Sequence, residues 1–373
     1  MTAEAKVVAQ WRIAAIVAAA TIGDGIFALP FVFYQAGWLA TIAYLVVLGV
    51  FVSAAHIVYL ETLESKGEKK RLLGLTREYL GEGGFWIGFA AIVIGLLLTL
   101  VAYLILGAQF IRLLLPAASP MWGLVTFWVL MAIPVFMDDG HVVELELLGI
   151  ACTTAIIFLI FFTAWPAVTF GGVSAVNWPN IFLPFGAVLF SLAGWTSVEP
   201  AYESRKRGGR GRDPWKALAL GTFFVGALYL LFAAGILGSA PAIASDTVSG
   251  LAGWPTWKRD LLAIFGLIAV GTVYLPISRE IKNALEKDLR WRKVASRALI
   301  LVLPVALIFL GLNNFLIVVG LVGGVFLSMQ YLLIVAVGRR ALTLSPAKGF
   351  FLDLIAAVFV IGAVYQVWTF VVH

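Results

Sequence analysis

ATIGDGIFALP, residues 20–30, interrupts the first apolar segment of the chain with a carboxylate, Asp24, between two glycines. Unwinding a helix in hydrocarbon leaves backbone N–H and C=O groups without partners, so a break survives only where those groups line a protein cavity. Gly23 and Gly25 permit such a break. The half-helix that begins near Ile26 would offer free N–H groups and a partial positive charge to an anion. The carbonyls before the break suit a cation, so the stretch predicts a site for a small charged solute.

The composition of the whole chain indicates a membrane protein. Of the 373 residues, 62% are hydrophobic and 12% charged, and the mean hydropathy is +1.01. A soluble domain is about half apolar and a quarter charged. Because about 20 apolar residues cross the hydrocarbon core as a helix, the sequence predicts an all-α integral membrane protein. Eleven transmembrane helices are predicted, over residues 8–36, 37–61, 85–114, 121–137, 143–167, 181–203, 215–239, 260–281, 298–312, 315–337 and 348–372.

The basic residues fall mostly on one side of these helices. With a cytoplasmic N-terminus, 23 of the 26 Lys and Arg residues lie in inner segments, and only Arg112, Lys258 and Arg259 lie outside. Basic residues are enriched in cytoplasmic loops. We therefore expect a multi-pass protein of the cell (plasma or inner) membrane, with its N-terminus in the cytoplasm and His373 outside. The formal charge of +6 is expected to face anionic lipid rather than nucleic acid.

A weak internal repeat relates the two halves of the chain. In residues 191–200, SLAGWTSVEP, small and polar residues interrupt a segment that begins with an apolar run. Residues 21–30 show the same pattern. The breaks fall in predicted helices one and six, which run in opposite directions. Two five-helix units of opposite topology, each opening with an interrupted helix, are typical of secondary transporters. We expect one transport domain over 1–373, with inverted repeats at 8–167 and 181–337 and an additional helix at 348–372.

The second break is expected to complement the first. Opening the chain around Ala193, Gly194 and Thr196 would expose carbonyl groups that suit an ammonium group. Phe190 and Trp195 would provide an apolar wall or gate. The two discontinuous helices together predict a substrate site near the bilayer midplane.

Three patches of the sequence are similar to one family of permeases. GDGIFALPFVFYQAGW, residues 23–38, resembles the first-helix signature of the amino acid/auxin permease family, within the amino acid/polyamine/organocation (LeuT-fold) transporter superfamily. LPFGAVLFSLAGWTSVEPAYESRKR, residues 183–207, resembles helix six, and GTVYLPISREIK, residues 271–282, resembles the eighth helix. The resemblance implies a LeuT-type fold of ten core helices plus one, and proton- or sodium-driven uptake of amino acids.

The resemblance also implies binding positions. It places a substrate carboxylate on the backbone at Gly23–Ile26 and a substrate amine on carbonyls near Ala193–Thr196. A sodium ion, where relatives use one, would contact the carbonyls of Ile22 and Gly25 and the hydroxyl of Thr272. The chain departs from the family pattern at Asp24, because relatives usually have a small or apolar residue there.

Four side chains have both a functional and a structural interpretation. Asp24 is a proton carrier or a counter-ion to a substrate amine, or else a member of a salt bridge or a helix cap. Glu199 is a second candidate for the proton path, or a structural pairing. Tyr103 faces the substrate or only packs. The Thr272 hydroxyl binds the ion or returns to its own helix backbone.

The leading hypothesis is an ion-coupled permease of amino acids that works by alternating access, with the substrate at the two breaks. The alternatives are a permease or uniporter for cationic amines or nucleobases, and a non-transporting nutrient sensor on the same scaffold. An enzyme is not expected, since His56, His141 and His373 lack a metal-ligand spacing. No cofactor is expected beyond a coupling ion, H⁺ or Na⁺. The expected partners are a small-molecule substrate and the lipid bilayer, with no nucleic acid and no obligate protein partner.

Overall fold

Helices follow one another throughout the described chain. The computed structural model describes residues 3–66, 71–136, 142–164, 172–208 and 214–372, and within these ranges it contains α-helices and no β-strand. The α-helices are α1 Ala3–Thr21, α2 Leu29–Ala36, α3 Trp38–Lys66, α4 Leu72–Phe89, α5 Gly95–Leu114, α6 Pro120–Phe136, α7 Val142–Ala164, α8 Pro184–Leu192, α9 Val198–Gly208, α10 Pro214–Ser239, α11 Thr256–Asn283, α12 Lys293–Phe309, α13 Phe315–Leu321, α14 Ser328–Ala341 and α15 Pro346–Val372.

Both predicted helix breaks are present. A 3₁₀ turn over Asp24–Ala28 separates α1 from α2, and a second one over Trp195–Ser197 separates α8 from α9. Gly23 is extended, with φ −146° and ψ −167°. Ala193, with φ −67° and ψ 117°, ends α8 in the same way. The sequence prediction of two interrupted helices is therefore confirmed.

The predicted count of eleven spans is supported only in part. Among the described residues, six helices are long and apolar enough to cross a membrane, judged by length and composition: Trp38–Lys66, Leu72–Leu114, Pro214–Ser239, Thr256–Lys287, Phe315–Ala341 and Pro346–Val372. They correspond to six of the predicted spans. The other five fall in the interrupted pairs α1–α2 and α8–α9 and in α6, α7 and α12. Residue 137 of the fourth predicted span and residues 165–167 of the fifth lie outside the described residues.

The two breaks lie within the packed interior, and long helices surround them. Helix α10 packs against α1, α3 and α7, and α8 packs against α3 and a π-helical turn over Val322–Leu327. Helix α11 packs against α5 and α7. The side chains from Ile26 to Leu29 are all buried. By contrast, α15 exposes apolar side chains such as Trp368, as expected of a helix that faces lipid. This arrangement brings the two breaks together inside the molecule.

Candidate functional site

The two breaks touch each other. A Cβ atom placed on Gly25 would lie 2.7 Å from Ser191 Oγ and 2.8 Å from Ser191 Cα. A Cβ atom on Gly194 would lie 2.3 Å from Thr21 Oγ1. Only glycine allows the first break to approach α8, and the second break to approach α1, this closely. Since α1 and α8 both end here, their last carbonyl groups converge on one region.

The hydroxyl group of Tyr229, on α10, joins the two breaks. It lies 2.8 Å from the carbonyl oxygen of Thr21 and 3.1 Å from that of Ser191, and it accepts the Gly23 N–H at 3.4 Å. One hydroxyl hydrogen serves one of the two carbonyls at a time. Tyr229 is fully buried, so this single side chain supplies the partners that the unwound backbone of the first break needs.

Asp24 lies inside the first break with only 3% of its surface exposed. Its carboxylate interacts with the Tyr103 hydroxyl and with the backbone N–H groups of Asp24 and Gly25. Its other oxygen, Oδ2, has no hydrogen-bond partner among the described residues. The structure therefore brings Tyr103 to Asp24, and the role of Tyr103 toward a substrate stays a prediction. The carboxylate of Asp24 is close to N–H groups at the first break, where the sequence predicted a substrate anion.

The second break is held by a different set of side chains. The Tyr331 hydroxyl, on α14, accepts the Gly194 N–H at 3.4 Å and lies 3.2 Å from Nε2 of His56, on α3. Trp195 donates its indole N–H to Gln330 at 2.5 Å. Gln330 in turn donates to the Ala91 carbonyl at 2.9 Å. The indole of Trp195 is therefore fixed by side-chain bonds to α14, and does not project freely as a gate.

The remaining predicted site residues lie in different environments. Ile22 and Ile26 are buried, and Ala193 is half-buried. Phe190 packs near both Gly25 and Gly323, at 2.9 Å and 3.0 Å from the positions where their Cβ atoms would lie. The side chain of Thr196 is exposed. The prediction for Thr196 concerned its backbone carbonyl, so its side chain adds nothing to the site.

The structure supports the structural interpretation of Thr272 directly. Its hydroxyl donates to the Ala269 carbonyl at 2.9 Å, within its own helix α11. It also lies against α7, because a Cβ on Gly149 would be 1.8 Å from Thr272 Oγ1. The three-residue ion site of Ile22, Gly25 and Thr272 stays a prediction.

Glu199 borders a narrow crevice below the second break. It accepts a hydrogen bond from the Tyr59 hydroxyl at 2.9 Å. Trp195 lines the same crevice, together with Arg71 and Glu280. Arg71 and Glu280 form an ion pair across it. Trp195 therefore shares the lining of one crevice with charged residues that belong to the predicted inner side.

The opposite end of the first break is covered by a loop. Thr247 donates its hydroxyl to the Phe27 carbonyl at 2.5 Å. The Thr247 backbone is left-handed, with φ 57°, which is unfavourable for a β-branched residue. The side chain is 2% exposed. A strained, buried residue thus anchors the loop after α10 to the half-helix.

Three residues that hold the breaks were missed by the sequence interpretation as site residues: His56, Tyr229 and Tyr331. Each lies in an otherwise apolar helix, and each meets a partner far along the chain. Tyr229, for example, is 208 residues from Thr21. No local pattern marks such a pairing. The available signal was only a polar side chain at membrane depth.

Solved transporters share this arrangement of helices. The structure of MhsT in complex with L-phenylalanine matches with a TM-score of 0.64 and 13% sequence identity, over 94% of this chain and 98% of that chain. The manganese transporter of Eremococcus coleocola, in complex with an aromatic bis-isothiourea substituted compound, matches with a TM-score of 0.56 and 15% identity, over 96% of this chain and 86% of that chain. No curated protein sequence matches. The chain therefore has the LeuT-type transporter fold.

The family follows from the sequence itself. The family model described as transmembrane amino acid transporter protein matches residues 7–234, which is more than half of the chain. The chain belongs to this transmembrane amino acid transporter family. The resemblance found in the first helix is thereby confirmed, and the chain is a multi-pass membrane transporter.

Proposed function

We propose that the protein is an ion-coupled secondary transporter of amino acids that binds its substrate between the two breaks. The observation that carries this proposal is the buried Asp24, whose Oδ2 has no partner among the described residues at the point where the breaks meet. An acid at membrane depth costs a few kcal/mol unless a cation, a proton or a water-filled cavity compensates it. Family membership supports an amino acid as the solute.

The substrate site comprises backbone and side chains from both breaks. The first break contributes Gly23, Asp24, Gly25 and Ile26, with Tyr103 beside them. The second contributes Phe190 and the segment 193–196. A zwitterion placed here meets partial charges of both signs from the ends of the half-helices. The contacts of Gly25 with Ser191 support a shared site, because they bring both segments within reach of one small solute.

The coupling ion is a proton carried by Asp24. Protonation removes the charge of the buried carboxylate and leaves a group that still hydrogen-bonds Tyr103. Glu199 offers the proton an acceptor near the inner crevice. The alternative ion, Na⁺ at Ile22, Gly25 and Thr272, has weaker support, because the Thr272 hydroxyl bonds its own helix.

Transport proceeds by alternating access. Spans one, two, six and seven rock against three, four, eight and nine, so that the midplane site opens to each side in turn. This proposal retains eleven spans, with inverted repeats at 8–167 and 181–337 and an eleventh helix at 348–372 outside them. The basic loops face the cytoplasm, and the C-terminus faces outward, in the cell membrane.

Uptake into proteoliposomes tests the proposal. Labelled amino acids are offered with an inward pH gradient, with an inward Na⁺ gradient, and with neither. We expect accumulation under the pH gradient. In Asp24→Asn we expect this accumulation to fall at least about tenfold, which corresponds to about 1.4 kcal/mol. The reason is that this variant lacks the carboxylate that would bind and release the proton.

Asp246→Asn is the matched control. Asp246 is also buried, but its carboxylate accepts bonds from Ser249 in the covering loop, at 2.8 Å and 2.6 Å. We expect this variant to keep the pH-driven uptake. If proteoliposomes containing Asp24→Asn still accumulated neutral amino acids under the inward pH gradient, this result would contradict the proton role of Asp24. Absence of gradient-driven uptake of every amino acid would contradict transport of this class.

A permease for cationic amines is the second candidate. It is favoured by one observation, that the Asp24 carboxylate already occupies the N–H groups expected to bind a substrate carboxylate. An amine without a carboxylate would use Asp24 as its counter-ion. Amines offered as substrates in the same vesicles, with amino acids as competitors, separate the two candidates.

A further inference from the structure

His56 is a fully buried imidazole at the second break. It lies on α3 with 0% of its surface exposed. Its Cε1 atom is 3.5 Å from the position that a Cβ on Gly194 would take. Thr21 Oγ1 is 2.3 Å from the same position, so the imidazole is close to the first break as well. The helix places this side chain where both breaks meet.

One ring nitrogen of His56 is engaged and the other is not. Nε2 lies 3.2 Å from the Tyr331 hydroxyl, whose oxygen accepts the Gly194 N–H. Nδ1 has no hydrogen-bond partner in the part of the chain that the structure describes. We assign Tyr331 as the donor and His56 Nε2 as the acceptor of this hydrogen bond, so that the hydroxyl hydrogen has a partner. A neutral imidazole then carries its own hydrogen on Nδ1. A buried N–H donor without a partner is unusual in proteins and calls for a functional reason.

The first break offers few donors to a substrate carboxylate. The N–H groups of Asp24 and Gly25 interact with the Asp24 carboxylate, and the Gly23 N–H reaches Tyr229. A second carboxylate at this end would also meet the like charge of Asp24. The acceptor without a partner, Asp24 Oδ2, therefore lies at the first break, and the donor without a partner, His56 Nδ1, at the second.

We propose that His56 Nδ1 donates a hydrogen bond to the carboxylate of the transported amino acid, whose ammonium group points to Asp24. Tyr331 is the positioning residue, since its hydroxyl fixes the imidazole against Gly194. The inference rests on the proposed function and specifies which end of the substrate faces each break, which we call the binding polarity. This polarity is the reverse of the one implied by the family resemblance, in which the first break binds the carboxylate.

Two amide variants test which ring nitrogen matters. In His56→Asn the side-chain amide takes the place of Nδ1, whereas in His56→Gln it takes the place of Nε2. Binding to the purified full-length protein is measured for L-alanine, L-leucine, L-phenylalanine and L-arginine, and for the methyl ester of each. The ester keeps the ammonium group and removes the carboxylate charge, so the ratio of ester Kd to acid Kd reports on carboxylate recognition. Melting temperatures of both variants are recorded alongside.

We expect the wild-type protein and His56→Asn to bind the acid about tenfold more tightly than the ester, as for one hydrogen bond to a charged group. We expect His56→Gln to lose this preference while its melting temperature stays near that of His56→Asn. A wild-type ratio in His56→Gln would overturn the proposal. Equal loss in both variants would assign His56 a packing role and also overturn it. Failure of the proposed function looks different, because the wild-type protein would then bind none of the four amino acids.

Discussion

The two breaks perform the same structural task with different chemistry. At the first, the Tyr229 hydroxyl reaches Thr21, Ser191 and Gly23 at once, and a buried carboxylate lies beside it. At the second, the Tyr331 hydroxyl reaches Gly194 and His56. At each break, a tyrosine from another helix thus supplies partners to the opened backbone, as a break within hydrocarbon would require. The first break carries the acid, whereas the second carries the imidazole.

The largest effect is expected from the glycines of the first break. Gly25→Ala would place a Cβ 2.8 Å from the backbone Cα of Ser191, so the breaks would have to separate. Overpacking of this kind costs roughly 1–3 kcal/mol. We expect uptake to fall about tenfold or more and the melting temperature to decrease.

Gly23→Ala is the internal control for this glycine test. The nearest atom to its Cβ position is 3.9 Å away, and its backbone is extended. We expect its melting temperature to stay near that of the wild-type protein, whereas that of Gly25→Ala decreases. Equal decreases in melting temperature in the two variants would show that backbone freedom, and not the contact between the breaks, makes these glycines necessary.

The next effect separates the two tyrosines. Tyr229→Phe removes the partner of the Gly23 N–H and of whichever carbonyl, that of Thr21 or Ser191, holds the single hydroxyl hydrogen. Tyr331→Phe removes the partner of one N–H and of one imidazole nitrogen. Each unsatisfied buried group costs roughly 1–3 kcal/mol. Because Tyr229 joins the two breaks, whereas Tyr331 contacts only the second, we expect the uptake rate and the melting temperature to decrease more in Tyr229→Phe. The reverse order would mean that the second break, and not the first, limits the stability of the site.

The smallest effect is expected where the half-helix after the first break meets the covering loop. Thr247→Val keeps the shape of the side chain and removes the hydrogen bond to the Phe27 carbonyl. The loss of one such bond costs about 1 kcal/mol, which corresponds to a decrease of about 2 °C in melting temperature. Thr196→Val makes the same change at the second break, where the side chain is exposed. An equal decrease in both variants would remove the special role of the loop contact.

Much of the fold was predictable because its causes are local. Glycines beside a polar residue in an apolar run predicted both interruptions, and the structure has 3₁₀ turns at those positions. The lengths of the apolar runs predicted where helices form. Among the described residues, however, only six of the eleven predicted spans correspond to helices long and apolar enough to cross a membrane. Two of the remaining five are the interrupted spans, and the fourth and fifth extend beyond the residues that the structure describes.

The candidate site was predictable only in outline. The position of Asp24 at the break is a property of the sequence, but its contacts with Tyr103 and with its own half-helix are not. Thr272 was proposed as an ion ligand, and the structure shows its hydroxyl on the Ala269 carbonyl. A hydroxyl in a helix has both options, and packing against Gly149 accompanies the one observed.

The sequence by itself determined that the chain belongs in a membrane, that two helices are interrupted, and that one interruption contains an acid. These are consequences of side-chain polarity and of helix termination, which depend on neighbours within a few residues. Only the tertiary structure decided which groups satisfy the opened backbone. Tyr229 meets the Thr21 carbonyl, and Tyr331 meets the Gly194 N–H, across more than a hundred residues. Such pairings depend on how the helices pack. Within a bilayer the opened backbone groups need partners from the protein, but this requirement does not specify which side chain provides them.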